Sequence, residues 1–416
     1  MNNIFIDKEG KMAKLTKKEK EKLVKTASKN WKIVAVLVVL IVAVLFLAYF
    51  MGWLDKFLNR DEEPPMSQAG GFSQTVTTLE DLKINFLDIG QGDCIIIEFP
   101  DGRNMIIDSG DETHTDERKD QDITPKDTIK SFTDANDIDT FDYVLLTHPD
   151  SDHSANMSWV IDNYDVKYIF RPATFCNDKL MIDIPMDFNK LVLGSEVATN
   201  DNYTNFMISA YNSKAKCEIF NKNSDFSNEI IYGDKRYSYS FDFLTPTANK
   251  DEISYSNMND YSPLFMLEYG GRKVMFTGDA GKSVLKEYLD NYEGGHNVDV
   301  LKVGHHGSKE NTTTAFLDAI DPEYAIIQSG EKNKHSHPDI EVLNMLYNYE
   351  EDLEVYRNDN NGHITLTISA TGIMDFTLEN SDLSKNDIDG EGVKVTLQAP
   401  IYSYFGYAYY KKELVA

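Results

Sequence analysis

Beyond residue 82 the chain contains two similar blocks, in which short apolar runs alternate with turns and amphipathic stretches. Apolar runs bounded by Gly, Pro, Asn or Asp are typical of β-strands, and apolar residues spaced three and four apart are typical of helices. The pattern therefore predicts an α/β (α+β) fold with two β-rich halves and outer helices. The predicted strands are 83–88, 93–99, 104–108, 142–147, 238–244, 264–269, 272–277, 299–303 and 324–328, and the predicted helices are 125–135, 154–163, 280–292, 312–319 and 338–348.

Residues 33–54 form an apolar segment that contains no charged residue. Twenty-two residues at helical rise suffice to cross a bilayer, so the segment predicts one transmembrane helix. A buried core helix is the alternative, but cores seldom need an apolar face all round. Residues 1–32 carry ten Lys against four acidic residues, which places the N-terminus in the cytoplasm. We expect a single-pass protein of a bacterial-type cell membrane with an extracytoplasmic domain.

Composition divides the rest of the chain into a linker, a large domain and a C-terminal extension with one or two added strands. A segment rich in Asn, Asp, Lys and Tyr predicts a partly helical insertion in the large domain. The sequence leaves open whether this insertion shapes access to a site or is a surface elaboration. The predicted parts are a basic cytoplasmic segment at 1–32, the transmembrane helix at 33–54, a linker at 55–81, the domain at 82–380 with its insertion at about 174–235, and the extension at 381–416.

The net charge is −27, and because residues 1–32 contribute +6, the remainder carries −33. Such an acidic domain repels nucleic acid at long range, so a nuclease built on it needs metals or a local basic patch to hold phosphate. The chain has only three cysteines, and an odd number of so few does not indicate a disulfide framework. A single disulfide between Cys176 and Cys217 is left as an open alternative. No G-x-x-x-x-G-K-[ST] loop is present, which argues against a P-loop phosphate site.

The densest polar motif is His-Pro-Asp-Ser-Asp-His at 148–153, directly after the apolar run 143–147. A strand points alternate side chains to opposite faces, but a loop or helix start after it can turn all four ligands toward one point. Two imidazoles and two carboxylates suit a pair of divalent ions that activate water for hydrolysis. The motif predicts a metal-dependent hydrolase.

Further motifs follow a recognisable order, namely FLDIGQGD at 86–93, TGD at 277–279 and GHHGS at 304–308, with His337-Pro338 later. In order and spacing, these motifs and HPDSDH resemble the metallo-β-lactamase fold, specifically the branch typified by the C-terminal domain of ComEC-type competence proteins. The resemblance covers roughly residues 82–380. It implies an αββα sandwich with two divalent ions, Zn²⁺ or Mn²⁺, at one edge between the sheets.

The resemblance also implies how the metals are held. One metal is expected on His148 and Asp150, the other on Asp152 and His153, with Asp279 bridging both. The better-known lactamase pattern has a second His where this chain has Asp150, and a carboxylate there admits Mn²⁺ as readily as Zn²⁺. The expected metal ligands are His148, Asp150, Asp152, His153, Asp279, His305 and His337.

The neighbours His305 and His306 are expected to diverge, with His305 on a metal and His306 beside the scissile phosphate. Ser308 is expected to offer backbone and hydroxyl donors to a developing oxyanion. His337 either completes the shell of the second metal or donates to the leaving group. The expected catalytic residues are Asp152, His306 and Ser308, and the expected supporting residues are Asp88, Asp93 and Asp108.

The leading hypothesis is a membrane-anchored, extracytoplasmic phosphodiesterase that acts on DNA, and the resemblance carries the nucleic-acid part. A second hypothesis is hydrolysis of phosphodiesters in cell-envelope polymers, because similar motifs occur in phosphorylcholine esterases. A third is a non-catalytic binding module on the same fold. Retention of the complete ligand set argues against the third. Protein partners are left unknown by the sequence.

Overall fold

The structure of the chain is a computed structural model that describes residues 4–6, 12–14, 17–18, 72–118, 122–176, 197–198, 200–250, 252–349, 353–380, 401–402 and 408–409. None of the helices within these ranges has the length and apolar composition that crossing a bilayer requires. The predicted span 33–54 lies outside them. Two compact units are distinguished, Met1–Glu63 and Pro64–Ala416. In the first unit, β1 (Ile4–Ile6) and β2 (Met12–Lys14) pair antiparallel.

The second unit contains two eight-stranded sheets and the helices that connect their strands. Its strands are β3 (Ser73–Thr75), β4 (Leu82–Phe86), β5 (Ile95–Glu98), β6 (Asn104–Ile107), β7 (Thr140–Leu145), β8 (Asp165–Arg171), β9 (Phe175–Cys176), β10 (Val197–Ala198), β11 (Lys216–Ile219), β12 (Phe226–Tyr232), β13 (Lys235–Phe243), β14 (Phe265–Tyr269), β15 (Arg272–Phe276), β16 (Val300–Lys302), β17 (Tyr324–Ile327), β18 (Glu354–Arg357), β19 (Ile364–Ile368), β20 (Met374–Leu378), β21 (Ile401–Tyr402) and β22 (Ala408–Tyr409). Its helices are α1 (Pro125–Ala135), α2 (Ser151–Ser154), α3 (Met157–Asn163), α4 (Asp201–Asn212), α5 (Lys282–Asn291), α6 (Thr314–Ile320), α7 (Ile340–Tyr349) and α8 (Asn358–Asn361), with 3₁₀ turns at Met258–Tyr261 and Gly304–Gly307.

The strand order is β11-β8-β7-β6-β5-β4-β19-β20 in the first sheet and β18-β17-β16-β15-β14-β13-β12-β3 in the second. Parallel pairing runs from β6 to β11 and from β15 to β18. Parallel neighbours need a crossover connection, and α1, α3 and α4 supply it in the first sheet while α5, α6 and α7 supply it in the second. Short two-stranded pairings, β9 with β10 and β21 with β22, lie apart from these sheets.

Alternate residues of each strand enter different apolar layers, as the pleat of a strand requires. In β5, Ile95 and Ile97 pack between the sheets, whereas Ile96 packs against α1, α3 and α4 on the outer face. The second sheet is covered in the same way by α5, α6 and α7, and Met275 of β15 lies in that outer layer. The predicted sandwich of two sheets with outer helices is therefore confirmed.

Two segments belong to the sandwich that the sequence placed outside it. β3 lies in the predicted linker and pairs parallel with β12 at the edge of the second sheet. β11 and β12 lie in the predicted insertion at about 174–235, yet β11 pairs with β8 and β12 with β13. The partly helical character expected there is found in α4. Residues 177–196 of that segment and the side chain of Cys176 lie outside the described part of the chain.

Phe241 tests how much the layer between the sheets contributes to stability. Its side chain is fully buried, with ring centroids of Phe99, Phe226 and Phe265 between 5.1 and 5.9 Å away. Phe241→Ala should lower the free energy of unfolding by about 3–5 kcal/mol in chemical denaturation, because it leaves a cavity. Tyr232→Ala, at an exposed position, is the control and should change it by about 0.5 kcal/mol or less.

Candidate metal centre

Five loops that each follow the carboxyl end of a strand meet at one edge between the two sheets. Parallel strands of a sheet end on the same side, so the loops after β6 and β7 lie together, as do those after β15, β16 and β17. The first pair supplies Asp108 and residues 147–153, and the other three supply 277–279, 303–308 and Gln328. Motifs far apart in the sequence are thereby collected at one place.

Asp279 lies at the centre of this group. Its Oδ2 atom is 3.7 Å from Nε2 of His148, 3.3 Å from Nε2 of His153, 3.5 Å from Nε2 of His305 and 3.7 Å from Nε2 of His306. The carboxylate is only 2% exposed. Four imidazoles thus direct the same ring atom at one buried oxygen.

Two further carboxylates flank these imidazoles. Asp150 Oδ2 lies 3.6 Å from Nε2 of His148, and Asp152 Oδ2 lies 3.4 Å from Nε2 of His306. Ligand atoms lie within 4.8 Å of one another in the triads His148–His153–Asp279 and Asp152–His153–His306. The described residues therefore form a candidate site for metal ions with mixed nitrogen and oxygen ligands.

The other ring nitrogens of His148 and His153 face acceptors that orient them. Asp108 lies 2.7 Å from Nδ1 of His153, and its carboxylate can only accept. Thr147 donates its hydroxyl proton to Asp108 over 2.7 Å, so the Thr147 oxygen accepts from Nδ1 of His148 at 3.1 Å. Both imidazoles thereby carry their proton on Nδ1, which leaves an Nε2 lone pair for a metal.

The imidazoles on the opposite side are oriented in the same way. Nδ1 of His306 lies 2.9 Å from the Gln328 carbonyl oxygen, which can only accept. Nδ1 of His305 lies 3.0 Å from Oδ1 of Asn311, whose amide nitrogen is already bonded to the carbonyl of Asp279. The carbonyl contact leaves the Nε2 lone pair of His306 directed at Asp279. Nδ1 of His305 also lies 3.3 Å from the Asn259 amide nitrogen, which can only donate, so its contacts orient the ring without fixing its tautomer.

Several atoms of this centre are buried without a hydrogen-bond partner among the described residues. They are Nε2 of His148, His153 and His306, and Oδ1 of Asp279. Buried polar atoms are ordinarily paired, and each unpaired one is costly. A divalent cation would satisfy all of them, so the donor set fits the metals that the sequence predicts.

The electrostatics of the centre also fit a cation. Burial opposes charge on Asp279, but His153, His305 and His306 hold its pKa well below the usual range. Burial also opposes protonation of His306, yet Asp279 and Asp93 raise the pKa of its imidazole to about 10. The buried carboxylates therefore attract positive charge, which protons supply when metal is absent and which a metal would replace.

His305 and His306 both reach Asp279, contrary to the expectation that adjacent side chains diverge. Their backbones are left-handed at φ 49° and 54°, which turns two consecutive rings to the same side. The ring centroids are 5.7 Å apart, and the planes are inclined by 75°. Gly307, at φ 83°, completes the turn where a Cβ atom would lie 2.5 Å from Pro338. Among the described residues, His306 shares candidate metal triads with Asp152 and with Asp279, whereas His305 belongs to none of these triads. The expected division of roles between the two histidines stays a prediction.

His337 and Ser308 lie beside the centre rather than within it. The His337 ring is 5.5 Å from that of His305, and burial together with His306 lowers the pKa of His337 to about 4. Ser308 is buried, but its backbone N–H donates to the carbonyl of His305 at 2.8 Å. The turn therefore uses this N–H, and the expected role of Ser308 toward an oxyanion stays a prediction.

The three predicted supporting carboxylates have different surroundings. Asp108 orients His153, as described above. Asp93 Oδ1 lies 3.2 Å from Nδ1 of His306. The Asp88 carboxylate instead pairs with Arg118 over 2.7 Å and accepts the N–H of Gly90, so it does not orient the imidazoles around Asp279.

Sequence reasoning missed several polar residues that position the ligands. Ser262 lies just before the predicted strand 264–269, and its Oγ lies 3.2 Å from Nδ1 of His148 and accepts the N–H of Asp279 at 3.1 Å. The sequence could have indicated the role of Thr147, since this residue directly precedes the HPDSDH motif. Nothing in the sequence indicates the roles of Asn311 and Gln328, because only the tertiary structure brings each of them next to a histidine.

The family model of the metallo-β-lactamase superfamily matches residues 87–176 and 258–331. These two segments contain Asp279 and all four imidazoles around it. The chain carries a metallo-β-lactamase domain. The resemblance based on the motifs is confirmed, and superfamily members are generally metal-dependent hydrolases.

Curated relatives of this metallo-β-lactamase domain include competence proteins. ComE operon protein 3 of Bacillus subtilis is 27% identical over 290 residues, which is 68% of this chain and 32% of that protein. Competence protein ComA of Neisseria gonorrhoeae is 29% identical over 32% of this chain and 18% of its own length. Recombination protein 2 of Haemophilus influenzae is 33% identical over 23% of this chain and 12% of its own length. The chain spans about a third or less of these relatives.

Asp108→Asn tests the orientation of His153 in the metallo-β-lactamase domain. An amide can donate where the carboxylate only accepts, which favours the wrong tautomer of His153 and should lower Mn²⁺ or Zn²⁺ affinity about 10–100-fold. Asn tolerates the left-handed φ of 56° at this position. Asp137→Asn, an exposed site at φ 54°, is the matched control. Equal affinities for both variants in calorimetric titration would contradict the assignment.

Proposed function

We propose that this chain is a dinuclear-metal phosphodiesterase and that its substrate is DNA. The observation that supports this most is the convergence of four imidazole Nε2 atoms on the buried Asp279 carboxylate. A centre of imidazole and carboxylate ligands serves Zn²⁺ and Mn²⁺ equally well, and both ions promote hydrolysis.

In this proposal the ligands are divided between two ions that share Asp279. His148 and Asp150 would hold one ion, and Asp152 and His153 the other. Because both Nε2 atoms of the GHHGS motif face Asp279, His305 and His306 each act as a ligand in this proposal. Ions bound there would polarise a phosphodiester and lower the pKa of the attacking water.

The exposure of the ligands indicates the side from which substrate approaches. His148 and His153 are fully buried, whereas the side chains of Asp152, His305 and Asp150 are 23%, 27% and 45% exposed. The exposed residues therefore form the open side of the centre. A phosphodiester would meet them there, while the buried imidazoles exclude water from behind.

The DNA substrate rests on the relatives, whose names refer to competence and recombination. Residues 33–416 carry a net charge of −33, so long-range attraction does not guide DNA to the domain, and the metals or a local basic patch must hold the phosphate. The apolar segment 33–54 supports attachment to a bacterial-type membrane, with the domain on the extracytoplasmic side. Envelope phosphodiesters are the competing substrate.

Cleavage by the full chain tests the proposal. Single-stranded and duplex DNA should be cut with Mn²⁺ or Zn²⁺, and Asp279→Asn should reduce the rate by roughly a hundredfold or more. Loss of a residue that only hydrogen-bonds to a metal ligand already lowers activity about 10–100-fold, and loss of the shared carboxylate should lower it further. The exposed Asp165→Asn is the control and should cut like the parent. Turnover of a simple phosphodiester without cleavage of DNA would redirect the proposal to envelope polymers. Metal binding without either activity would indicate a binding module.

Metal removal should lower the thermal stability of the folded domain. A chelator should lower Tm by several degrees, because ions that bind only the folded state stabilise it in proportion to RT ln(1 + [L]/Kd). Adding Mn²⁺ or Zn²⁺ should restore Tm in the parent but much less in Asp279→Asn. Scanning calorimetry with and without chelator measures the difference. Identical Tm values would count against a resident metal.

A further inference from the structure

Lys302 is a buried cation directly behind the metal centre. It ends β16, two residues before the turn that contains His305 and His306, and it is 1% exposed. Its Nζ atom donates to Asp93 Oδ2 at 2.7 Å and to the carbonyl of Val303 at 3.1 Å. Lysine is rarely buried unless it is paired, and the Asp93 carboxylate is the partner that allows Lys302 to be buried here.

Asp93 lies as close to the centre as the proposed ligands do. Its ligand atom is within 4.8 Å of those of Asp279 and His306, and also of those of Asp108 and His153. The Oδ1 atom is buried and receives no hydrogen bond from the described residues, while Lys302 occupies Oδ2. The 2.7 Å contact between the Lys302 ammonium and Oδ2 makes Asp93 one half of a buried ion pair, in which it is a carboxylate.

The charges of this region balance only if Lys302 is included. The described residues contribute five carboxylates, of which Lys302 offsets one, leaving four negative charges when the imidazoles are neutral. Two divalent cations carry the same charge with opposite sign. The carboxylates are Asp93, Asp108, Asp150, Asp152 and Asp279.

We propose that Lys302 is a positioning residue that holds Asp93 away from the metals and sets the net charge of the centre to that of two divalent ions. This inference rests on the metal centre proposed above. Lys302 touches neither metal nor substrate in this arrangement, and it acts through Asp93.

The proposal predicts opposite effects for the two partners. Lys302→Met removes a positive charge near the ions and should raise their affinity about tenfold or more. Asp93→Asn removes a negative charge and should lower the affinity by a similar factor. The double variant restores the charge balance and should bind ions like the parent. A merely structural pair would weaken binding in both single variants.

The test is competition for Mn²⁺ and for Zn²⁺ between the full chain and a chelating dye, after the protein has been stripped of metal. Lys130→Met, an exposed lysine paired with Asp134, is the matched control and should leave both affinities unchanged. The Tm of metal-free Lys302→Met should fall, because Asp93 is left buried and unpaired, and should recover in the double variant. If Lys302→Met does not fold, Asp93→Asn and the double variant still measure the effect.

Affinity shifts of opposite sign that cancel in the double variant support the proposal. Shifts of the same sign, or no shift, overturn it while leaving the metal centre intact. Failure of the parent chain to bind either ion would overturn the metal centre and the role of Lys302 together.

Discussion

The buried carboxylate of Asp279 is the group on which the architecture of this centre depends. A carboxylate that is 2% exposed has lost nearly all of its hydration, a loss that only nearby positive charge or hydrogen bonds can offset. Four imidazole nitrogens between 3.3 and 3.7 Å away take the place of water. Their lone pairs repel the same oxygen unless a proton or a metal ion lies between. The arrangement is therefore stable only with added positive charge, which is the requirement of a metal site.

The sandwich brings the ligands of this site together through the loops at the carboxyl ends of its parallel strands. Parallel strands connected by outer helices finish on one side, and the short loops after them can converge there without crossing. The layer between the sheets is apolar up to Phe276, two residues before the TGD turn reaches Gly278 and Asp279. The same packing that stabilises the fold thus holds the ligands and shields the rear of the centre from water.

A second set of residues fixes each imidazole through its other nitrogen. Carboxylate, hydroxyl, amide and backbone carbonyl oxygens all serve as acceptors for Nδ1 protons in this centre. Each can take that proton, so the fold rather than the metal sets the tautomers of His148, His153 and His306. Such preparation reduces the reorganisation needed when an ion binds.

The sequence by itself determined the alternation of strands and helices, the two-block sandwich and the residues of the HPDSDH, TGD and GHHGS motifs, because these depend on local periodicity and on side-chain chemistry within a few positions. Only the tertiary structure decided that β3, β11 and β12 complete the sheets, since pairing partners lie far along the chain. It also decided that His305 and His306 face the same carboxylate, that the Ser308 N–H is used by a turn, and that Lys302 meets Asp93. Backbone conformation and contacts across 209 positions of sequence control those outcomes, and no local pattern encodes either.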